Sequence, residues 1–381
     1  MSGRIATDEE DRRFTAAALN LGRRHNGLTW PNPSVGALVV RHEEGRSVIV
    51  AQGITARGGR PHAEPEALRG AGNLARGATL YVSLEPCSHH GRTPPCAEAI
   101  VAAGLGRVVT AGGDADPRVA GRGHAILARA GIRVVAGAAV EEAERTHRGH
   151  LTRTRHGRPA VTLKLARTVD GYAAAPAGEP RLLITGPNAD GRTHLLRAHA
   201  DAVMVGVATV LSDDPRLDVR LPGLADRSPV RIVLDSRLRL PPESRLARSA
   251  AARPTWLVCA EEADPEAERR LAGLGCDAIR CPRGPDGRLD LGAALALLAS
   301  RGLTRVLCEG GPALAEALAR DDLLDEVVLI TGGAALGRHG LPATGPALAG
   351  ALSGHLRLTR TERAGADTVQ HFERDPCSPA S

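Results

Sequence analysis

A histidine, a glutamate and two cysteines stand in the chain with the types and order of a hydrolytic zinc site. His62 and Glu64 open a predicted helix, Cys87 follows a predicted strand, and Cys96 stands near the start of a second predicted helix. One imidazole and two thiolates fill three corners of a zinc tetrahedron and leave the fourth for water, as in catalytic sites. Glu64 stands two residues after His62, where it could take a proton from that water and deliver it to a leaving amine. The pattern therefore predicts one zinc ion per chain and hydrolytic removal of an amine.

The same cysteines permit two simpler interpretations. Cys87 and Cys96 could hold a structural zinc ion, or they could be unconnected buried residues. The order of the motifs argues against both interpretations. Zinc deaminases that act on nucleobases have the same order, which is His-Ala-Glu, then Pro-Cys, then a further Cys. The chain departs from that order by placing eight residues between the cysteines. His89 and His90, within this insert, are left out of the predicted metal site because histidines in loops more often contact solvent or substrate.

The second half of the chain has a candidate site for a phosphate-bearing cofactor. It lacks Gly-x-Gly-x-x-Gly after its first predicted strand, so an ordinary Rossmann domain is not expected. A Gly-Gly-Pro run at 310–312 instead joins a predicted strand to a predicted helix. Backbone N–H groups at such a helix start bind phosphate. A plain β-to-α turn is the alternative interpretation of this run.

Lys164 is the single lysine among 49 basic residues. Since arginine supplies positive charge everywhere else, Lys164 indicates a position that needs a compact ammonium group instead of a planar guanidinium. Chance survival of one lysine is the alternative.

Helical and strand patterns alternate along both halves. A helix is predicted from the capping-box motif at Thr7–Glu10 to about His25. The polar stretch 145–159 ends in Gly and Pro before a new strand, which predicts a domain boundary there and domains at 1–150 and 159–375. The alternation predicts an α/β/α sandwich followed by a second α/β domain that ends in a hairpin. Further strands are predicted at 35–41, 48–52, 78–84, 107–111, 133–136, 160–166, 202–206, 230–235, 255–259, 304–309, 326–331, 356–362 and 367–372, and further helices at 62–70, 95–103, 120–130, 187–199, 265–274, 291–301 and 312–319.

Composition excludes several classes of protein. The 381 residues, 43% of them hydrophobic, suffice for two folded domains. The apolar runs are too short to cross a bilayer, so a membrane-spanning helix is not expected. The first residues lack the apolar core of a signal peptide, so a signal peptide is not expected either. Seven cysteines are too few and odd in number for a disulfide framework, which predicts a cytoplasmic protein. Two Phe, two Tyr and two Trp are too few for base stacking, and the arginines are dispersed, so a small phosphorylated ligand is expected and nucleic acid is not.

Three segments of the first half resemble the family of bifunctional riboflavin-biosynthesis deaminase/reductases: 26–36, 61–64 and 84–96. The long insert between the two cysteines distinguishes this family among deaminases. The resemblance implies a cytidine-deaminase-like domain that removes the 2-amino group from 2,5-diamino-6-(5-phosphoribosylamino)pyrimidin-4(3H)-one. It also implies zinc ligands at His62, Cys87 and Cys96, a proton shuttle at Glu64, and substrate contacts from Asn32 and the loop 89–92.

Segments of the second half resemble the reductase half of the same family: 164–171, 184–186, 196–198, 201–220, 235–236 and 309–312. The resemblance implies a dihydrofolate-reductase-like α/β domain that uses NADPH to open and reduce the ribosyl group, giving 5-amino-6-(5-phosphoribitylamino)uracil. The cofactor contacts that it implies are Ala166, Thr209, Asp213, Ser236, Gly311, Pro312, Ala313 and Leu314. The substrate contacts that it implies are Arg197, Leu217, Arg220 and Glu309, and we add Lys164 as a residue that orients the ribose or its developing charge.

The second half departs from the family pattern at three places. Tyr172 stands where a basic residue is usual, Arg181-Leu182-Leu183 replaces Ser-x-Trp, and Thr331-Gly332-Gly333 replaces Ala-Pro. A deaminase with an inactive or scaffolding reductase-like domain is therefore the alternative, and a nucleic-acid deaminase or binding module is a more distant one. A homo-oligomer is expected. Four further cysteines on or beside predicted strands are expected to be buried, with a second metal site at Cys276 and Cys281 as the alternative: Cys259, Cys276, Cys281 and Cys308. Cys377 stands in the polar tail.

Overall fold

The computed structural model describes residues 6–43, 45–91, 94–176, 179 and 182–374. It divides into two compact units, Met1–Gly157 and Arg158–Ser381. Both units are α/β, as the alternation of patterns predicts. Within the described residues, no helix has both the length and the apolar character that crossing a membrane requires.

The first unit is built around a five-stranded mixed sheet in the order β2-β1-β3-β4-β5. β1 is antiparallel to both β2 and β3, whereas β3, β4 and β5 run parallel. The strands are β1 Gly36–Glu43, β2 Arg46–Ile54, β3 Thr79–Val82, β4 Arg107–Thr110 and β5 Arg133–Val135, and the helices are α1 Asp8–Arg23, α2 Ala63–Ala71, α3 Cys96–Ala102, α4 Arg122–Arg129 and α5 Val140–His156.

Successive residues of a strand point to opposite faces of the sheet. Both faces of this sheet carry apolar side chains, so helices pack on both. Val39 and Leu80 pack on one face in a cluster that includes residues of α2, α3 and α4. Leu38 and Val40 pack on the other face with Phe14 of α1. The predicted α/β/α sandwich is thereby confirmed.

The second unit has a nine-stranded sheet in the order β11-β10-β9-β8-β12-β6-β13-β16-β15. Its strands run parallel from β11 to β13, and β16 and β15 add an antiparallel hairpin. A separate two-stranded sheet pairs β7 with β14. The strands are β6 Ala160–Arg167, β7 Tyr172–Ala174, β8 Ala202–Gly206, β9 Val230–Leu234, β10 Thr255–Ala260, β11 Cys276–Cys281, β12 Arg305–Cys308, β13 Glu326–Thr331, β14 Leu341–Pro342, β15 Leu356–Ala364 and β16 Asp367–Arg374, and the helices are α6 Pro187–Ala198, α7 Val207–Asp213, α8 Arg245–Arg248, α9 Pro265–Ala272, α10 Leu291–Ser300, α11 Pro312–Arg320 and α12 Pro346–Ser353.

The structure differs from the sequence interpretation around the predicted domain boundary. The polar stretch 145–159 is mostly the second half of α5, which ends at His156, so the predicted end of the first domain at residue 150 falls inside a helix. The helix ends where Gly157 adopts a left-handed conformation, which glycine enters without a steric penalty. α5 is polar because it buries only a narrow stripe that includes Ala143, His147 and Leu151.

Candidate active sites

The three predicted zinc ligands of the first unit lie together. His62 is the N-cap residue of α2, Cys96 is the first residue of α3, and Cys87 lies in the loop after β3. The Nδ1 atom of His62 lies 3.4 Å from the Sγ atom of Cys96 and 3.7 Å from the Sγ atom of Cys87. The backbone N–H of Cys96 also donates to the Sγ atom of Cys87 at 3.2 Å.

These distances fit a zinc ion. With ligand bonds of about 2.0–2.3 Å, neighbouring corners of a zinc tetrahedron are separated by about 3.5 Å. The three donor atoms all lie within 4.8 Å of one another, and thiolates and imidazole are ligands that zinc prefers. Hydrogen bonding from Cys96 and His62 lowers the pKa of the Cys87 thiol to about 4, which favours the thiolate that a metal needs. This group of side chains can therefore hold zinc through His62 Nδ1 and the two sulphurs.

Glu64 lies in the first turn of α2, beside the three ligands, and is buried. Burial raises the pKa of its carboxyl to about 7, although the positive charge of His62 opposes the shift. A carboxyl group with a pKa near neutrality can both accept and release a proton. The chemistry predicted for Glu64 thus has a physical basis in its burial.

Glu85 fixes the loop that carries Cys87, a role that the sequence analysis missed. Its buried carboxylate accepts hydrogen bonds from the backbone N–H groups of Gly121 at 3.0 Å and His124 at 3.3 Å, at the start of α4. A Cβ atom on Gly123 would lie 2.1 Å from the carbonyl oxygen of Pro86, so only glycine permits this close approach. Sequence spacing carries no signal of this contact, because Glu85 and Gly121 are 36 residues apart along the chain.

The substrate contacts expected in the first unit are described only in part. The Nδ2 atom of Asn32 donates to the carbonyl oxygen of Gly59 at 2.8 Å, in the turn that precedes His62. In the loop 89–92, the Nδ1 atom of His89 is buried and has no hydrogen-bond partner among the described residues. Arg92 lies outside the described residues.

In the second unit, two of the expected substrate contacts form a buried ion pair at the carboxyl end of β12. Arg197 binds Glu309 through two parallel hydrogen bonds, from Nε to Oε1 at 2.6 Å and from Nη2 to Oε2 at 2.7 Å. Burial alone would raise the pKa of Glu309, but Arg197, with smaller contributions from Lys164 and His194, holds it below its usual value. The structure therefore brings together Lys164, Arg197 and Glu309.

A buried aspartate links this pair to further arginines. The carbonyl oxygen of Asp218 accepts from the Nη1 atom of Arg197 at 2.9 Å. Its carboxylate accepts from Arg220 at 2.7 Å, Arg216 at 3.0 Å and Arg253 at 2.6 Å. Burial opposes ionisation of Asp218, yet these arginines lower its pKa far below the usual range. Asp218, Arg216 and Arg253 were not predicted as part of the site.

Leu217, another expected substrate contact, is buried next to Asp218. Its backbone has a φ of 52°, in the left-handed region that non-glycine residues rarely adopt. Backbone strain of this kind is found where the surrounding structure fixes the chain at a functional site.

The expected cofactor contacts divide into two groups. A cavity of about 970 Å³ is lined by Ser236, Ala313 and Leu314 together with Gly206 and the loop 283–291. Gly311 and Pro312 directly precede the lining residue Ala313 at the start of α11, and no described side chain caps this helix, so its N-terminus is open to a ligand. The remaining three expected contacts are not among the residues that line this cavity in the described part of the chain: Ala166 on β6, and Thr209 and Asp213 on α7.

The departures from the family pattern have local structural settings. Tyr172 lies on the small strand β7, and its backbone N–H donates to the Oγ1 atom of Thr168 at 3.0 Å. Gly332 follows β13, and a Cβ atom there would lie 2.1 Å from the carbonyl oxygen of Ile184, so no side chain fits. Leu183 is 84% exposed, and Arg181 lies outside the described residues.

The second metal site is not formed. Cys276 and Cys281 are the first and last residues of β11, and both are buried. Among the described residues, only His62, Cys87 and Cys96 form a group of side chains able to hold a metal ion. The interpretation of Cys276 and Cys281 as small buried residues fits this structure.

Fold and site together define the class of the protein. Residues 8–112 match the family described as the cytidine and deoxycytidylate deaminase zinc-binding region, and residues 159–370 match the RibD C-terminal domain. The chain is thus an enzyme that joins a cytidine-deaminase-like zinc-binding domain to a dihydrofolate-reductase-like reductase domain. This confirms the fold class predicted from the sequence.

Individual relatives identify the family. The riboflavin biosynthesis protein RibD of Escherichia coli (strain K12) is 40% identical over 84% of this chain and 87% of its own length. The structure of Acinetobacter baumannii RibD matches with a TM-score of 0.84 and 31% identity, covering 97% of this chain and 100% of that one. The diaminohydroxyphosphoribosylaminopyrimidine deaminase/5-amino-6-(5-phosphoribosylamino)uracil reductase of Thermotoga maritima matches with a TM-score of 0.80 and 29% identity, covering 97% and 99%.

The chain belongs to the RibD family of bifunctional deaminase/reductases of riboflavin biosynthesis, and the predicted resemblance is confirmed. Both halves match, and none of these findings favours the alternative of a deaminase with an inactive second domain.

Proposed function

We propose that the first unit hydrolyses the 2-amino group of 2,5-diamino-6-(5-phosphoribosylamino)pyrimidin-4(3H)-one and that the second unit reduces the ribosyl group of the deaminated product with NADPH. The product is 5-amino-6-(5-phosphoribitylamino)uracil. The observation that carries the proposal is the juxtaposition of His62, Cys87 and Cys96 with the buried carboxyl of Glu64.

In the deaminase site, His62, Cys87 and Cys96 would hold zinc, which would activate water for attack on the ring carbon that bears the amino group. Glu64 accepts the proton of that water and returns it to the amine, which leaves as ammonia. Because Glu64 is buried beside the three ligands, one side chain can reach both the water and the amine and perform both proton transfers. Asn32 orients the pyrimidine.

In the reductase site, NADPH would supply the hydride. Arg197 has three of its nitrogens engaged by Glu309 and the carbonyl oxygen of Asp218, so it holds Glu309 ionised at the base of the site. Arg220 is 49% exposed and shares the carboxylate of Asp218 with two further arginines, so the group keeps a net positive charge. Arg220 is therefore better placed than Arg197 to bind the substrate phosphate. Lys164 orients the ribose through its charge beside Glu309.

Separate assays test the two sites. For the first, ammonia release from the diaminopyrimidine substrate and zinc content are measured for wild type, Glu64→Gln and Cys96→Ser. Glu64→Gln should keep zinc and lose ammonia release, whereas Cys96→Ser should lose both. Zinc-loaded wild type that releases no ammonia would refute the proposal for the first unit.

For the second site, the deaminated intermediate is supplied directly and the oxidation of NADPH is followed. This bypasses the first site, so the Glu64→Gln variant should reduce the intermediate at the wild-type rate. No oxidation by either protein would restore the alternative of an inactive second domain.

We also propose that the protein is a homo-oligomer of the cytoplasm. All six cysteines in the described residues are free thiols, which suits a reducing compartment. Sedimentation velocity tests the oligomeric state.

A further inference from the structure

Five arginines line the cavity of the second unit, and three of them already face carboxylates. Arg283 pairs with Glu262, Arg288 lies 3.9 Å from Asp286, and Arg320 lies 3.1 Å from Asp321 and 3.9 Å from Asp286. A carboxylate beside an arginine offsets the charge that would attract an anionic ligand. These three arginines are therefore weaker candidates for binding a further phosphate group.

Arg237 and Arg239 differ from the other three. Both line the cavity, both are exposed, and neither has a hydrogen bond or an ion pair with any described residue. They directly follow Ser236, an expected cofactor contact, just beyond the carboxyl end of β9. Two uncompensated guanidinium groups thus lie on the wall of a cavity that α11 also borders with its uncapped N-terminus.

The turn that carries these two arginines is held rigidly. Leu238, between them, is buried in the core and has a φ of 53°. Its backbone N–H donates to the carbonyl oxygen of Asp235 at 3.1 Å, and the N–H of Leu240 donates to the Oδ2 atom of Asp235 at 2.8 Å. Because Leu238 and Leu240 are both anchored in the core, Arg237 and Arg239 are presented together on the outer side of the turn.

We propose that Arg237 and Arg239 bind the 2′-phosphate on the adenosine ribose of NADPH and so make the protein prefer NADPH to NADH. Guanidinium groups bind phosphate dianions through paired, charge-assisted hydrogen bonds, which the 2′-hydroxyl of NADH cannot match. The inference rests on the proposed binding of a nicotinamide cofactor in this cavity. It selects two arginines from the 48 in the chain, a choice that the sequence alone did not permit.

The test compares ligands that differ by the 2′-phosphate. Adenosine 2′,5′-bisphosphate, AMP, NADPH and NADH are each titrated by calorimetry into the full-length wild type and into Arg237→Ala, Arg239→Ala and the double variant. Arg270→Ala is the matched control, because Arg270 is exposed on α9 and is not among the residues that line the cavity. Arg288→Ala is tested beside it, because Arg288 lines the same cavity but faces Asp286. Each single variant should weaken binding of the bisphosphate by about tenfold, within the range of one charge-assisted interaction. Binding of AMP should not change, and the control should bind all of these ligands as wild type does.

Two outcomes separate this inference from the proposed function. If wild type binds NADPH and NADH equally well, the proposed use of NADPH fails and the inference fails with it. If wild type prefers NADPH but Arg237→Ala and Arg239→Ala retain that preference, the inference is wrong while the proposed function stands. If only Arg288→Ala loses the preference for NADPH over NADH, the 2′-phosphate binds at the loop 283–291 and the inference is wrong. Thermal unfolding of each variant establishes that it is folded, and Arg→Lys variants at 237 and 239 should restore part of the preference.

Discussion

Replacing Gly53 by alanine should displace the helix that carries the deaminase site. Gly53 lies on β2, directly beneath the start of α2. A Cβ atom at this position would lie 2.0 Å from the carbonyl oxygen of Ala63 and 2.5 Å from the backbone nitrogen of Ala67. Ordinary contacts begin at 3.4 Å, and both neighbouring atoms belong to the backbone. The added methyl group therefore cannot be accommodated by rotating a side chain.

The geometry sets the size of the effect. To restore a normal contact, α2 must move by about 1 Å or more, and overpacking of this kind costs about 1–3 kcal/mol of unfolding free energy. His62 and Glu64 stand at the start of α2 and move with it. Since a misplacement of about 1 Å can cost about a hundredfold in rate, we expect ammonia release to fall by that order.

In this assay, the reductase activity of the second unit serves as the control for the deaminase activity of the first. Ammonia release, zinc content and thermal unfolding are measured for Gly53→Ala, together with reduction of the deaminated intermediate, which depends on residues of the second unit. Gly70→Ala is the matched substitution. Gly70 is exposed in the same helix, and a Cβ atom there would meet its nearest neighbour, the Cβ atom of Ala51, at 3.4 Å. It should stabilise the protein by about 0.5–1 kcal/mol and leave both activities intact. Wild-type zinc content and ammonia release in Gly53→Ala would refute the reasoning.

Three further predictions concern single charged residues. Lys164→Arg should lower the rate of reduction at least about tenfold without changing ammonia release, because a planar guanidinium cannot replace a compact ammonium beside Glu309; stopped-flow oxidation of NADPH measures this. Asp218→Asn should destabilise the protein by about 1–3 kcal/mol and raise KM for the phosphorylated intermediate, because Arg220 loses its partner; urea unfolding and steady-state kinetics test both effects. Asp11→Asn should remove part of the acid sensitivity of unfolding, measured in urea from about pH 6 to about pH 2.

The sign of the Asp11 prediction follows from its surroundings. Burial would raise the pKa of Asp11, but Arg107 and Tyr81 donate hydrogen bonds to its carboxylate and hold the pKa below its usual value. A carboxyl with a lowered pKa stabilises the fold above about pH 4 and loses that contribution as the pH falls through the folded-state pKa. Identical acid unfolding of wild type and Asp11→Asn would contradict this.

The Lys164 and Asp218 predictions have their own controls. If Lys164→Arg reduces the intermediate at the wild-type rate, Lys164 has no specific role in reduction, and chance explains why this one lysine remains. For Asp218→Asn, a loss of stability without a change in KM would show that Asp218 supports the fold alone and does not position Arg220.

The grouping of His62, Cys87 and Cys96 could be predicted from sequence because the three residues belong to short motifs whose spacing and residue types are typical of metal ligands. His62 and Glu64 share one helix turn, and each cysteine follows a strand or begins a helix whose pattern is clear. In the reductase site, the resemblance named Arg197 and Glu309 separately, but their pairing depends on the arrangement of α6 and β12, 112 residues apart along the chain. Sequence spacing carries no signal of such a contact.

Other features could not be predicted for physical reasons. The contact between Asp218 and Arg253 joins residues 35 positions apart, and an acidic residue among dispersed arginines resembles any solvated surface. The stretch 145–159 resembles a domain boundary in sequence because α5, which contains most of it, buries only a narrow stripe and is otherwise polar. Strand β7 has three residues and helix α7 has seven, too few to show a periodic pattern.

The most direct test of two working sites in one chain is a mass-spectrometric analysis of products. Purified, zinc-loaded protein is incubated with the diaminopyrimidine substrate, with and without NADPH. We predict that without NADPH the product has lost its 2-amino group and retains the ribosyl ring, and that with NADPH the same product also gains two hydrogens. A deaminated product that is never reduced would contradict the assignment of the second unit, and unchanged substrate in both reactions would contradict the roles of His62, Glu64, Cys87 and Cys96.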